Sequence, residues 1–333
     1  MPQELLNSAK YMRYDLPLTI YFLCLFTLLG CFSRMAWPFD LMAQFRMHYV
    51  ALSACLFAVV FYFGKTSPIR RRMLLLCLTS AALNTVAVYL GPIRPLGQAS
   101  PRSFKLMQFN INVSNQNKEG VLALIEREKP DLVCLQEVDQ SWVETLESKN
   151  SKQMQVYPEK LLVARGDPFG MALLSKFKIK ASQTLYFNEE KLPSLVASLE
   201  LPGGADLNLL VTHPMPPLTP ALYKSRNQHL ENLSRYISTL KGENTIVCGD
   251  FNSVGYADNL KAMAERNHLR EPVSLLNLPC PAQPPGTWPA IVPPPMRIPI
   301  DHVFMSKALT AQAVKTDDAC DSDHVPLITI ISY

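Results

Sequence analysis

The stretch T-I-V-C-G-D-F-N-S, residues 245–253, joins an apolar run to a cluster of polar residues. Its first four residues show no polar alternation, which is typical of a strand buried on both faces. Gly249 lets the backbone turn, and Asp250 and Asn252 then emerge at the carboxyl end of the strand, where open α/β sheets bind their ligands. The same residue types are common in ordinary turns, so the remaining chain must decide between a functional and a structural interpretation.

The composition divides the chain of 333 residues into two parts. Hydrophobic residues make up 48% of it, but the long uncharged stretches are confined to residues 1–93. This length allows one membrane region and one sizeable domain. The net charge of +4 is too small to predict nucleic-acid binding, which usually requires a concentrated basic face.

Three stretches of the first part contain no Asp, Glu, Lys or Arg: residues 16–33, 47–64 and 73–93. Each is close to the roughly 20 residues that a helix needs to cross the hydrocarbon core of a bilayer. We therefore predict three transmembrane spans in residues 1–93. A cleaved signal peptide in place of the first span is disfavoured, because its apolar core is long and two more spans follow. No acidic residue lies within a span, which predicts anchoring in the lipid bilayer rather than an ion pathway.

Basic residues predict the orientation of the spans, because positively charged short loops tend to remain in the cytoplasm. Lys65 and the arginines at 70–72 lie between the second and third spans. If that loop is cytoplasmic, the amino terminus is cytoplasmic too, and everything after residue 93 lies in the periplasm or the extracellular space. The loop between the first two spans has basic residues at both ends and is a weaker, conflicting signal.

Residues 94–102 are predicted to be a linker, since proline and glycine are frequent there, and residues 103–333 show strand and helix patterns. Predicted strands cover residues 104–110, 132–135, 161–164, 171–175, 181–187, 195–201, 207–212, 245–248, 300–305 and 327–331, and predicted helices cover 118–128, 141–148, 223–240 and 258–265. A proline-rich loop is predicted for residues 272–299, and long ordered loops are often functional.

Polar residues stand at the ends of several separate predicted strands. They are Asn110, Glu137, His213, Asp250 with Asn252, and Asp323 with His324 just before the last strand, while Asp301 begins another strand. A single histidine at a strand end is more often structural than catalytic. The repetition across separate strands favours one shared functional site.

An ordered set of motifs extends over the second part of the chain. The motifs are F-N-I-N at 109–112, L-Q-E at 135–137, G-M-A-L-L-S at 170–175, V-T-H-P at 211–214, G-D-F-N-S at 249–253, I-D-H-V-F at 300–304 and S-D-H-V-P-L at 322–327. Each motif alone is weak, but in order and spacing the set resembles the endonuclease/exonuclease/phosphatase superfamily over residues 103–333. The resemblance implies an α/β fold, a four-layer α/β/β/α sandwich of two mixed β-sheets, and metal-dependent hydrolysis of phosphoesters.

The resemblance implies a metal site on one side of the predicted centre. Glu137 would be the principal Mg²⁺ ligand, with Asn110 beside it and Asp323 on the same side. Hard oxygen ligands and retained waters are what Mg²⁺ prefers, so one or two carboxylates suffice. Mn²⁺ is an alternative cofactor.

The resemblance also implies the groups that act on water and phosphate. Asp250 would orient or deprotonate the attacking water, and Asn252 would hold a phosphoryl oxygen. His324, oriented by Asp301, would stabilise the charge of the pentacoordinate state or transfer a proton, and His213 would lie on the leaving-group side. Phosphodiester hydrolysis needs these functions together, because the anion must be neutralised, water aimed in line and the leaving oxygen protonated.

Departures from subfamily patterns narrow the expected substrate. The residues after G-D-F-N differ from those of abasic-site endonucleases, and Ile300-Asp301-His302 stands where inositol polyphosphate phosphatases carry C-D-R or T-D-R. The chain most resembles bacterial membrane-anchored members, which often show the G-T-W-P found at 286–289. This implies a catalytic domain outside a bacterial inner membrane.

The expected substrate is a phosphoester of a lipid headgroup, a nucleic acid or a small molecule. An extracytoplasmic nuclease and a non-catalytic membrane scaffold are the alternatives. No specific protein partner is inferred.

Trp288 and Arg297 lie on the proline-rich loop before Asp301, which makes them candidates to bind the non-reacting part of the substrate. The alternative for Trp288 is that it packs the loop against the domain. Cys280 and Cys320 lie in predicted loops and could form a disulfide if the domain faces an oxidising compartment. Spacing alone does not show that two cysteines meet, so the pairing stays open.

Overall fold

The computed structural model describes residues 3–64, 67–98, 100–148, 152–273 and 284–333, with side chains described from residue 15 onward. The chain forms two compact units, Met1–Gly91 and Pro92–Tyr333. Each unit has hydrophobic clusters of its own.

The first unit consists of the helices α1 (Gln3–Gly30), α2 (Trp37–Gln44), α3 (Arg46–Phe63) and α4 (Pro68–Tyr89). Helices α3 and α4 are long and apolar enough to cross a membrane, whereas the apolar part of α1 in the described chain, Asp15–Gly30, is shorter than that test requires. The second and third predicted spans thus correspond to candidate transmembrane helices, and the first predicted span is not confirmed. Helix α2, which lies between the first two predicted spans, is not predicted from the sequence.

Buried polar side chains connect the helices of the first unit. Arg46 donates to Gly30 O at 2.7 Å and to Asn84 Oδ1 at 3.2 Å. Asn84 in turn donates to Thr27 Oγ1 at 2.9 Å, and Thr27 lies 2.9 Å from Ser80 Oγ. Hydrogen bonds of this kind fix which helix faces meet in an apolar environment.

The second unit contains two mixed β-sheets between helices. Its strands are β1 (Ile93–Pro95), β2 (Ser103–Asn110), β3 (Leu132–Gln136), β4 (Glu159–Val163), β5 (Met171–Ser175), β6 (Lys178–Tyr186), β7 (Pro193–Glu200), β8 (Asp206–Thr212), β9 (Thr245–Asp250), β10 (Glu271–Val273), β11 (Asp301–Met305), β12 (Thr310–Thr316) and β13 (Leu327–Ser332). Its helices are α5 (Lys118–Glu128), α6 (Gln140–Glu147), α7 (Lys152–Gln155), α8 (Pro220–Ile237) and α9 (Asp258–Arg266). The strand orders are β12-β13-β2-β3-β5-β4 and β11-β9-β8-β7-β6. The pairs β2/β3 and β8/β9 are parallel.

Three apolar interfaces hold four layers together. Alternate residues of a strand face opposite sides, so Leu106 of β2 and Ile246 of β9 pack between the sheets, while Met107 and Val247 face the outer helices. Helices α5 and α6 cover the six-stranded sheet, and α8 and α9 cover the five-stranded one. The observed architecture is therefore an α/β sandwich with mixed sheets, and Pro92–Tyr333 contains a complete core.

The segment predicted as a linker is hydrogen-bonded within the second unit. Strand β1 pairs in parallel with β10 as a separate two-stranded sheet. Leu96 N donates to Val273 O at 3.3 Å, and Gly97 N donates to Ala311 O at 2.8 Å. The second unit therefore begins at Pro92 rather than at residue 103, because these backbone groups pair with strands instead of water.

The proline-rich loop is described in part, since residues 274–283 lie outside the described residues. Cys280 belongs to that segment, so its pairing with Cys320 stays a prediction. In the described part, Trp288 and Ile298 form an antiparallel bridge, and the chain between them contains a short 3₁₀ helix.

Candidate active site

Polar side chains from both sheets meet at one edge of the sandwich. Asn110 ends β2 and Glu137 follows β3, so both stand at the carboxyl ends of a parallel pair. Asp250 ends β9 and His213 follows β8, the parallel pair of the other sheet. Asp301 begins β11, and the antiparallel register places it opposite Asp250. The strand topology thus brings these side chains to the same edge of the sandwich.

One carboxylate oxygen of Asp250 is the point where these side chains converge. Asn110 Nδ2 donates to Asp250 Oδ2 at 3.1 Å and to Glu137 Oε1 at 2.9 Å, which joins the two sheets. His213 Nε2 lies 3.5 Å from the same Oδ2, and His324 Nε2 lies 3.6 Å from it. The carboxylate is therefore flanked by an amide and two imidazoles.

Several non-glycine residues at this edge have left-handed backbone conformations. Asn252 has φ 50°, Asn112 has φ 61° and Glu137 has φ 65°. Such conformations are uncommon for non-glycine residues and concentrate at functional sites. Asn252 N donates to Asp250 Oδ1 at 2.8 Å, and its side-chain Nδ2 donates to Pro214 O at 3.0 Å. The turn after β9 is thus tied to both Asp250 and the chain after His213.

His324 and Asp301 form a buried pair, and Gln108, itself bonded to Gln136, donates to the carboxylate of Asp301. His324 Nδ1 donates to Asp301 Oδ2 at 2.8 Å, which leaves Nε2 on the side of Asp250. Gln108 Nε2 donates to Asp301 Oδ1 at 2.9 Å and to Gln136 Oε1 at 2.6 Å. Both glutamines are fully buried in the six-stranded sheet, and Gln108 reaches across to Asp301 of the other sheet. Neither glutamine is predicted from the sequence, although a polar residue at a core position of a strand is a signal for such a role.

Burial and neighbouring charges move the pKa values of the two carboxyls apart. Burial, followed by the charge of Asp301, raises the pKa of Asp250, and the two histidines partly oppose this. Burial also pushes the pKa of Asp301 upward, but the charge and hydrogen bond of His324 outweigh it and lower the pKa of Asp301. Burial lowers the pKa of His324, but the two carboxylates outweigh this and raise it to about 10. His324 is therefore protonated at neutral pH.

The site contains the oxygen donors that a divalent cation requires. Glu137 is half-buried and accepts hydrogen bonds from Asn110 Nδ2 and from Val113 N at 2.9 Å. Asp250, Asp301 and His324 form a second group whose ligand atoms lie within 4.8 Å of one another. Asp301 and His324 are bonded to each other and buried, whereas the carboxylate of Glu137 is only half-buried and so is the more accessible ligand. Carboxylate and amide oxygens suit hard cations such as Mg²⁺ or Mn²⁺.

Asp323 and Trp288 lie beside the metal side of the site and bind each other. Asp323 Oδ2 accepts a hydrogen bond from Trp288 Nε1 at 3.0 Å, and Oδ1 accepts one from Asn112 Nδ2 at 2.7 Å. The described contacts thus place Asp323 next to Asn112 rather than against Glu137. This bond fastens the loop of Trp288 to Asp323, and the predicted role of Trp288 in substrate binding stays a prediction.

Arg297 is not brought to the catalytic groups by its described hydrogen bonds. Its Nε donates to Val292 O at 2.9 Å, and its Nη2 donates to Ala290 O at 2.9 Å. The guanidinium braces its own loop, and the predicted substrate contact of Arg297 stays a prediction. Proximity in sequence to Asp301 could not reveal this, because the acceptors are main-chain carbonyls.

Two further buried groups support the turn after β9. His302 Nδ1 donates to Glu271 Oε1 at 2.6 Å, and Nε2 donates to Ser253 O at 2.7 Å. Since both ring nitrogens face acceptors, the ring is an imidazolium; burial lowers the pKa of His302, but the Glu271 carboxylate raises it above its ordinary value. Arg226 of α8 is fully buried, with Nη1 3.5 Å from Asn252 O. The sequence analysis assigns none of these three side chains to the site.

The second unit matches known proteins. Residues 107–324 match the Endonuclease/Exonuclease/phosphatase family. Among curated proteins, none matches the chain. The family match includes the motifs from Asn110 to His324, and it spans more than half of the chain.

Solved structures resemble the same part of the chain. The catalytic domain of human Nocturnin with bound sulfate has a TM-score of 0.56 and 22% identity, covering 71% of this chain and 96% of that one. D. rerio TDP2 complexed with single-strand DNA product has a TM-score of 0.55 and 16% identity, covering 69% and 99%. The endonuclease/exonuclease/phosphatase from Bacteroides vulgatus has a TM-score of 0.55 and 17% identity, covering 69% and 98%. At these identities the likeness supports the fold.

Proposed function

The chain belongs to the endonuclease/exonuclease/phosphatase family, and we propose that it is a membrane-anchored, Mg²⁺-dependent phosphoesterase that hydrolyses a phosphodiester or a phosphomonoester. The observation that carries this proposal is the position of Asp250 Oδ2, which lies within 3.6 Å of Asn110, His213 and His324. A carboxylate, an amide and two imidazoles at one point supply the base, the hydrogen-bond donors and the acid that phosphoester hydrolysis needs.

In the proposed reaction, a water oxygen attacks phosphorus while the bond to the leaving oxygen breaks. Asp250 takes the proton of the attacking water, which its raised pKa favours. Protonated His324, with its ring held by Asp301, stabilises the charge that develops on the phosphoryl oxygens. His213, on the same oxygen of Asp250, gives a proton to the leaving oxygen. One proton is thus taken from water and one is delivered to the leaving group.

Glu137 and Asn110 would hold the Mg²⁺ or Mn²⁺, which neutralises phosphoryl charge when bound. Asp323 would support this side through Asn112. The metal proposal predicts that EDTA abolishes turnover and that added Mg²⁺ restores it. Turnover that survives complete chelation would contradict the assignment of Glu137 as a metal ligand.

The test uses the fragment Pro92–Tyr333, which contains both sheets and their cores. We expect hydrolysis of bis-p-nitrophenyl phosphate with Mg²⁺, and a loss of about 10²–10⁴-fold in kcat for Asp250→Asn, because the water then lacks its base. The matched control is Asp206→Asn, since Asp206 forms a surface pair with Lys180 at 2.7 Å. A folded fragment that hydrolyses neither this compound nor DNA nor phospholipid would refute the proposal.

Membrane anchoring is supported by α3 and α4, the two helices long and apolar enough to cross a bilayer. Lys65 lies between these helices and the arginines at 70–72 lie in the first turns of α4, which favours a cytoplasmic location for this end and so supports a catalytic unit in the periplasm or the extracellular space of a bacterial cell. Protease added outside spheroplasts that produce the full chain should then digest the second unit. Protection of that unit in intact spheroplasts would contradict this orientation.

A nuclease is the second candidate, since D. rerio TDP2 is among the similar structures and was solved with a DNA product. A salt-dependent affinity for DNA together with DNA cleavage would favour it. A non-catalytic scaffold is disfavoured, because Asn110, His213 and His324 all lie within 3.6 Å of Asp250 Oδ2.

A further inference from the structure

The exposed large apolar side chains of the second unit are concentrated at the active-site edge. Among the described residues of this unit, five such side chains are exposed: Val156, Tyr186, Leu218, Ile291 and Met296. The three most exposed are Ile291 at 92%, Leu218 at 66% and Met296 at 57%. Those three lie on two loops, of which one follows His213 and the other comes before Asp301. Single exposed apolar residues need no explanation, but their grouping on these loops does.

The first of these loops, residues 214–218, starts directly after His213. Its first carbonyl, Pro214 O, accepts a hydrogen bond from the side chain of Asn252 at 3.0 Å. The loop therefore begins on the His213 side of Asp250, and Leu218 is the fifth residue after His213.

The second loop, residues 289–296, is closed at its base by the bridge between Trp288 and Ile298. Ala290 N donates to Asp323 O at 2.7 Å, which fastens the loop beside His324. Arg297 satisfies carbonyl groups inside the loop, and three consecutive prolines restrict its backbone. The polar groups are thus turned inward while Ile291 and Met296 face solvent. Ile291 and Met296 are therefore exposed on a loop whose conformation is held by hydrogen bonds and prolines.

The chemistry of the two loops indicates a lipid surface. Residues 214–218 read P-M-P-P-L and residues 289–296 read P-A-I-V-P-P-P-M, without any Asp, Glu, Lys or Arg. Arg297 follows the second loop directly and donates to the carbonyl groups of Val292 and Ala290 within it. Nucleic acids are bound through Lys and Arg contacts to their phosphates, and neither stretch contains a Lys or an Arg. The same chain carries two helices long and apolar enough to cross a bilayer, and three residues connect the end of the second, Tyr89, to the start of β1 at Ile93.

We propose that loops 214–218 and 289–296, together called the apolar rim, contact the bilayer, and that the substrate is a phosphoester of a membrane lipid. The inference rests on the proposed phosphoesterase function. When the rim contacts the bilayer, the side chains of Leu218, Ile291 and Met296 leave water and lie among lipid chains. The lipid headgroup then enters the site between His213 and His324. Removing an aliphatic side chain from lipid weakens binding by about tenfold or more.

The experiment measures sedimentation of the fragment Pro92–Tyr333 with vesicles of phosphatidylethanolamine and phosphatidylglycerol at low and high salt. We expect binding that persists at high salt, and a loss of tenfold or more for Ile291→Ser combined with Met296→Ser. Leu218→Ser should weaken binding in the same direction. The matched control is Val156→Ser, which removes an exposed aliphatic side chain outside the rim and should leave binding unchanged. Release of headgroup phosphorus from the vesicles is measured in parallel.

Three outcomes would overturn the apolar rim: a wild-type fragment that does not bind vesicles, an Ile291→Ser/Met296→Ser variant that binds as well as wild type, or salt-sensitive binding to single-stranded DNA in place of vesicles. Vesicle binding without headgroup release, in a fragment that hydrolyses bis-p-nitrophenyl phosphate, would overturn the lipid substrate. A folded fragment that hydrolyses neither bis-p-nitrophenyl phosphate nor DNA nor phospholipid refutes the proposed function separately, even if it binds vesicles.

Discussion

Asp250 and Asp301 are register partners on adjacent strands, yet their carboxyl groups differ in proton affinity. Both are fully buried, so the difference comes from their partners. Asp301 is hydrogen-bonded to His324 and to Gln108. Asp250 lies beside the negative charge of Asp301, which raises its pKa. Two titratable groups whose surroundings push their pKa values apart indicate an acid–base division of roles. This supports Asp250 as the base and Asp301 as the permanent anion.

The raised pKa values of Asp250 and His324 predict a bell-shaped dependence of kcat/KM on pH at constant Mg²⁺. Activity should rise as pH increases through the raised pKa of Asp250, since the base must lose its proton. It should fall as pH increases through the pKa of His324, about 10, since the cation is then lost. In Asp301→Asn the basic limb should move to lower pH, because the carboxylate that raises the pKa of His324 is gone. An unmoved basic limb would contradict the role of the pair.

The two glutamines predict a positioning effect on catalysis. Gln108→Ala leaves Asp301 Oδ1 without its donor, so His324 is held less firmly. We expect kcat to fall about 10–100-fold with little change in KM, the size usual for outer-sphere partners. The control is Gln228→Ala on the exposed face of α8. A fall confined to thermal stability, with kcat unchanged in the folded protein, would assign Gln108 a structural role only.

At the residue scale, the sequence is informative where a side chain stands at a strand end and less so elsewhere. Asn110, Glu137, His213 and Asp250 were predicted from that position, and the structure brings them together. Gln108 was missed because its partner Asp301 lies on the other sheet, far along the chain. Their catalytic roles remain proposals.

At the element scale, local signals account for some boundaries and long-range pairing for others. Helix α5 has its predicted bounds, because Asn117 caps its first turn and Lys129 in a left-handed conformation, followed by proline, ends it. Strand β12 was not predicted, since it is a partly exposed edge strand with little apolar pattern. Strand β1 was missed because its partner β10 lies far along the chain.

The contact between β10 and β11 predicts a pH-dependent contribution to stability. The pKa of His302 is raised above its ordinary 6.5, so the contribution of the His302–Glu271 pair is full below pH 6.5 and declines as pH rises through the raised pKa. Glu271→Ala should lower the free energy of unfolding by about 3–5 kcal/mol at pH 6, and the difference from wild type should narrow at higher pH. Urea denaturation of the fragment at several pH values measures this.

The control for that comparison is Glu265→Ala, because Glu265 is exposed and lies 3.9 Å from Lys261 in a surface pair. Its free energy of unfolding should stay within about 0.5 kcal/mol of wild type at every pH. If the free energy of unfolding of wild type and of Glu271→Ala changed equally with pH, the His302 imidazolium would not contribute to stability.

At the scale of the whole molecule, the division at residue 92 predicts which fragment is stable. A fragment that begins at Ser103 lacks β1 and the bond from Glu271 N to Pro92 O, which measures 2.7 Å. We expect its Tm to lie about 5–10 °C below that of Pro92–Tyr333, since several buried backbone groups lose their partners. A fragment that begins at Tyr89 serves as control and should match Pro92–Tyr333. Equal Tm values for all three would place the true boundary near residue 103.

The position of β13 in its sheet has a consequence for how the protein is made. This strand, Leu327–Ser332, lies between β12 and β2, although it is the last strand of the chain, and His324 comes just before it. A nascent polypeptide that has not yet reached residue 332 exposes the edge of β2 to other molecules. Until His324 emerges it also lacks the imidazolium beside Asp250, so hydrolysis can begin only once translation has passed this point.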